Sequence, residues 1–122
     1  MAGQINGIGG FFFRAKDAAR LAKWYKTHFG IPLGMDGGSD PEWHTAAGPC
    51  VFAPYDKPAP DMPTNRPFLL NFRVDDLDAI LARLAKAGIV ASNHHEIDDV
   101  GRFAWVYDPE GNPIELWEQV AD

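Results

Sequence analysis

Apolar positions along this chain change period, and the changes mark its elements. Residues 8–16 (IGGFFFRAK) run apolar and aromatic, which predicts a strand opened by glycines. Leu21, Trp24, Tyr25, His28 and Phe29 then recur at helical spacing, with Asp17 placed to cap the helix and Gly30 and Pro32 to end it. A Gly-rich turn (Gly34, Gly37, Gly38) leads to two predicted strands, Glu42–Ala46 and Pro49–Ala53. Five prolines between Pro54 and Pro67 predict an extended connection, because proline removes ladder donors.

Beyond it the pattern recurs. Phe68–Val74 reads as a strand, Asp75 or Asp76 as a cap, and Leu77, Ile80, Leu81, Leu84 and Ala87 as an apolar helical stripe closed by Gly88. A short strand (Ile89–Ser92), a polar loop holding His94, His95 and Glu96, and strands Arg102–Tyr107 and Pro113–Glu118 complete the unit. Asp108–Asn112 reads as a hairpin turn in which Gly111 and Asn112 supply positive φ. A shift of 59 residues lays Phe13-Arg14 on Phe72-Arg73 and Asp17 on Asp76, which predicts a duplicated βαβββ unit. The expected architecture is α+β in one domain: module one at about 5–54, a linker at 54–67 and module two at 68–120.

Strand alternation sorts the side chains by face. Phe11, Phe13 and Ala15, with Leu70, Phe72 and Val74, belong under the helices, as do Ile114 and Leu116. The opposite face then receives Phe12, Arg14, Asn71, Arg73, Glu115 and Trp117, a carboxylate beside an indole and an amide. Trp43 and His44 lie on a first-half strand that can face the same side.

Composition narrows the classes. The 122 residues carry a net charge of −6 with no basic stripe, which argues against nucleic-acid and anionic-membrane partners. A single cysteine, Cys50, predicts a free, buried thiol, and with no legible export signal the expected location is cytoplasmic. Ser39 and Ser92 lack a nucleophile elbow, and Gly7, Gly9 and Gly10 precede their strand, so neither a serine triad nor a phosphate-binding loop is indicated.

Three segments carry a family resemblance. FFFRAKDAARLAKWYKTHFGIPLG and NFRVDDLDAILARLAKAGI resemble the strand–helix units of the vicinal oxygen chelate superfamily (glyoxalases, bleomycin-resistance proteins, dioxygenases), and DPEGNPIELWE resembles its closing hairpin. The resemblance implies two modules in an open, cup-like mixed sheet with helices outside, and a homodimer. In metal-using members it also implies His in a module's first strand and Glu in its last. Gly10 and Leu69 stand where His is usual; Glu115 alone matches a ligand position. No cofactor is therefore expected, although a divalent metal with a non-standard set stays open.

Three functional readings follow. One is a metal-independent binder of a small aromatic or cationic molecule, using Phe12, Arg14, Trp43, His44, Asn71, Arg73 and Trp117, with Trp105 as a further stacking surface. A second is a metal-dependent lyase, isomerase or dioxygenase, and a third is a metal-free enzyme with Glu115 as general base.

Overall fold

A computed structural model describes residues 3–32, 42–56, 62 and 66–121. Its elements in order are α1 (Ala18–Phe29), β1 (Leu70–Val74), α2 (Leu77–Lys86), β2 (Ser92–Ile97), β3 (Gly101–Tyr107) and β4 (Pro113–Gln119). Each helix starts where an aspartate can satisfy an orphan amide: Asp17 accepts from Arg20 N at 3.1 Å, and Asp76 accepts from Ala79 N at 3.0 Å. Gly30 closes α1 at φ 69°, a left-handed geometry that favours glycine.

The sheet order is β1-β4-β3-β2, with β1 parallel to β4 and the other pairs antiparallel. Leu21, Tyr25, Leu77 and Leu84 from the helices form one buried cluster with Ala104, Val106, Ile114 and Leu116. Both helices therefore cover one face, and each fully buried aliphatic side chain contributes about 1.5–3 kcal/mol relative to exposure. Arg83 on α2 donates to His28 O at 3.1 Å, satisfying a carbonyl at the end of α1. Arg102 donates to both oxygens of Asp78, and this hydrogen bond and its charge hold the Asp78 carboxyl below the usual range.

The second half keeps the βαβββ order expected of it, but the short strand expected at Ile89–Ser92 is displaced: residues 89–91 form no strand and β2 begins at Ser92. The segment expected as a polar loop, His94–Glu96, is part of β2. Every residue of β2 is exposed and its register shifts between Ser92 and His95, so no apolar alternation marks it as a strand. Among the described residues of the first half, 8–16, Glu42–Ala46 and Pro49–Ala53 form no strand. A strand exists only with a ladder partner, and these stretches pack by side chains instead: Phe11 and Phe13 meet Phe68, and Phe13 meets Tyr25 edge-on. Cys50, expected to be buried, is exposed on the same unpaired stretch. The Gly34–Gly38 turn and most of the proline connection lie outside the described residues.

The turn after β3 joins the halves. Gly111 takes φ 83°, whereas Asn112, expected to share that role, works through its side chain. The buried Asp108 carboxylate accepts from Tyr25 Oη and Asn112 Nδ2 at 2.7 Å, Glu110 N at 2.8 Å and Asn112 N at 3.0 Å. Glu110 then accepts from Lys16 N at 2.7 Å and Asp17 N at 3.0 Å, just ahead of α1. Burial, then the hydrogen bond to Asp108 and its charge, push the Tyr25 hydroxyl far above its ordinary pKa of 10.0. A raised folded-state pKa stabilises the fold until the unfolded tyrosine ionises, so this contribution declines as pH rises past 10.0. Tyr25→Phe should cost about 1–2 kcal/mol in urea unfolding at neutral pH. It should also remove the part of the alkaline decline that Tyr25 causes; equal stability at both pH values would show that the bond carries no load.

Candidate functional site

Turning the core residues of β1, β3 and β4 toward the helices necessarily turns their neighbours to the other face. The register aligns these neighbours in two rows. Asn71, Glu115 and Trp105 lie abreast, and Arg73, Trp117, Phe103 and His95 lie abreast next to them.

Glu115 is the centre of the first row. Asn71 Nδ2 donates to its Oε1 at 2.8 Å, and Trp105 Nε1 donates to its Oε2 at 2.8 Å. Both partners are neutral N–H donors, so they orient a charged carboxylate without neutralising it. Among the described residues the ionisable nitrogen side chain paired with Glu115 is His95, whose Nε2 lies 3.9 Å from Oε2. The Glu115 side chain is 16% exposed and that of His95 38%.

The second row is aromatic. His95 stacks on Phe103 with centroids 4.8 Å apart and planes 8° from parallel, and Phe103 lies 6.0 Å from Trp117 at 9°. Trp117 Nε1 donates to Val100 O at 3.1 Å, which fixes the indole. Gly101, at φ 148°, makes room for that ring, because a Cβ there would strike Glu118 O and approach Trp117 Nε1 at 2.8 Å. Arg73 closes the row, but its guanidinium donates to Ala46 O at 2.8 Å and Ala47 O at 3.3 Å.

Of the residues named from the sequence, Asn71, Arg73 and Trp117 share the Glu115 face. Phe12, Arg14, Trp43 and His44 lie on stretches that are not paired into the sheet. Phe12 is 85% exposed and His44 is exposed. Trp43 packs edge-on against Phe72, a helix-side residue, at 5.9 Å. Arg14 lines a cavity of about 400 Å³ beside the Asp108–Asn112 turn, with Phe13, Arg66, Phe68 and Glu110. A second cavity, about 630 Å³, is lined by Asp75, Glu96, Asp98, Asp99, Arg102 and Glu118 among others. Neither cavity includes the Glu115 row. His95 and Phe103 were not among the predicted site residues; the alternation Phe103-x-Trp105 against buried Ala104 and Val106 is the signal for Phe103.

The described residues around Glu115 do not form a ligand set for a divalent metal. Among the described residues no three His, Cys, Asp or Glu side chains converge, and both Glu115 oxygens face N–H donors. Gly10 has no side chain and that of Leu69 is pure hydrocarbon, so neither offers a ligand atom.

A four-stranded mixed open sheet with helices on one face matches the glyoxalase/bleomycin-resistance fold, of which the described residues form one full module. The glyoxalase-like domain family matches residues 10–117, and the chain belongs to it. The solved structure of TnmS3, an antibiotic binding protein from Streptomyces sp. CB03234, is 26% identical, with 98% of this chain and 99% of that one covered and a TM-score of 0.62. The lactoylglutathione lyase of Agrobacterium tumefaciens shares the fold at 19% identity, a TM-score of 0.58 and coverage of 93% and 94%. Some solved relatives are spanned over less than two thirds of their length. One is a member of the glyoxalase/bleomycin resistance protein/dioxygenase superfamily from Sphaerobacter thermophilus, where 41% of each chain aligns at 24% identity and a TM-score of 0.38. No curated protein matches the chain. Among the described residues no helix is long and apolar enough to cross a membrane.

Glu115→Gln tests the site's hydrogen bonding. Its amide NH₂ must oppose Asn71 or Trp105, so one donor loses its acceptor at a cost of about 1–3 kcal/mol. The Trp105 or Asn71 side-chain N–H resonance should shift; unchanged spectra and stability would contradict the arrangement.

Proposed function

We propose that this protein binds a small organic molecule on the Glu115 face and does so without a metal. The observation that carries this reading is a carboxylate held by two neutral donors and bordered by the parallel rings of His95, Phe103 and Trp117. Asn71 and Trp105 leave the carboxylate's charge in place, and a planar ligand can use both that charge and the adjoining Trp117 ring. The likeness to an antibiotic binding protein over nearly the full length of both chains adds support.

The protein acts as a homodimer in the cytoplasm on this reading. Support for the dimer comes from large apolar side chains left in solvent, with Ile5 at 93%, Phe52 at 87%, Phe12 at 85% and Val51 at 74% exposure.

Trp117→Ala removes the ring next to Glu115 and should weaken a ligand found by fragment screening by about tenfold or more, or about 1.4 kcal/mol, in calorimetric titration. Unaltered affinity in the folded variant would place binding elsewhere. Sedimentation at micromolar concentration should give twice the 13.5 kDa chain mass, and a 13.5 kDa particle would remove the dimer.

A further inference from the structure

We propose that His95 Nε2 and Glu115 Oε2 form a two-acceptor clamp for the protonated amine of an aromatic ligand, a subsite that rests on the small-molecule reading above. His95 Nδ1 lies 2.9 Å from Asn93 O. A carbonyl oxygen can only accept, so Nδ1 carries the hydrogen, and in the neutral imidazole form Nε2 is then an acceptor with its lone pair toward Glu115. That lone pair and the carboxylate oxygen are 3.9 Å apart, too far for a direct hydrogen bond and both acceptors. A donor nitrogen about 2.8 Å from each would see them at roughly 90°, an opening that two N–H bonds of an ammonium group can span.

The clamp is already formed. Stacking on Phe103 and the Asn93 contact hold the imidazole, while Trp105 and Asn71 hold the carboxylate, so little side-chain freedom remains to be lost on binding. Asn93 adopts φ 54° at the β2 irregularity, which places its carbonyl beneath the His95 ring nitrogen. β3 brings Phe103 and Trp105 to this region and no charge. Arg73 on β1, the cation on the same face, is engaged by Ala46 O and Ala47 O. Glu96 lies next to His95 on β2 but pairs in register with Arg102. The chain's net charge of −6 adds a general attraction for cations. An aromatic ring attached to the ammonium then meets the Trp117 indole at the end of the stacked row.

The full chain is titrated with naphthylmethylammonium and with the neutral naphthalenemethanol, followed by calorimetry and by the indole N–H signals. The ammonium should bind about tenfold more tightly than the alcohol. His95→Phe keeps a ring against Phe103 but removes the nitrogen, and the ratio of ammonium to alcohol affinity should fall to about threefold or less. A preference that persists in His95→Phe overturns the clamp. Equal binding of both probes to the unaltered protein also overturns it but leaves the binding face standing. If neither binds, the clamp and the reading beneath it fail together.

Discussion

One buried carboxylate holds this fold together. Asp108 is 4% exposed and receives four hydrogen bonds, three from its own turn and one from Tyr25 on α1. Burying a charge is unfavourable unless its lone pairs are met, and here every donor comes from a group that must be in place for the two halves to meet. The same turn offers Glu110 to the amides of Lys16 and Asp17, so the start of α1 is held at a point 93 residues away in sequence. Asp108 and Glu110 therefore tie α1 to the turn by two separate sets of hydrogen bonds.

The binding face is a consequence of that core. Once Ile114 and Leu116 are committed to the helices, Glu115 and Trp117 have no choice of side, and the parallel pairing with β1 brings Asn71 and Arg73 beside them. β3 contributes Trp105 and Phe103 by the same alternation. Because α1 and α2 occupy one face, the other keeps a polar row and an aromatic row side by side. The edge strand β2 completes the aromatic row with His95, whose orientation depends on a local irregularity and not on burial.

Much of this was legible in the sequence, and the exceptions have physical causes. Both helices, their aspartate caps and the last two strands follow from periodicity, and so does the outward turn of Glu115. β2 was not legible, because a strand exposed along its whole length carries no hydrophobic alternation; its pairing with β3 defines it. His95 went unrecognised for that reason. The roles of Asp108 and Glu110 were hidden as well, since a turn sequence states its own geometry but not which distant donor its side chains will accept. Phe12, Arg14, Trp43 and His44 were placed on the ligand face by assuming sheet pairing in the first half. Where no ladder fixes the pleat, alternation along a strand says nothing about direction.

The four tryptophans offer the most direct test, because Trp105 and Trp117 lie on the proposed binding face while Trp24 sits on α1 and Trp43 beside Phe72. The indole N–H resonances of the intact protein are followed while a panel of planar aromatic compounds is added. The account predicts that compounds which bind shift Trp105 and Trp117 and leave Trp24 in place. Binding that moves Trp24 or Trp43 alone, or a panel that moves no indole signal, would contradict the assignment of the Glu115 face as the ligand site.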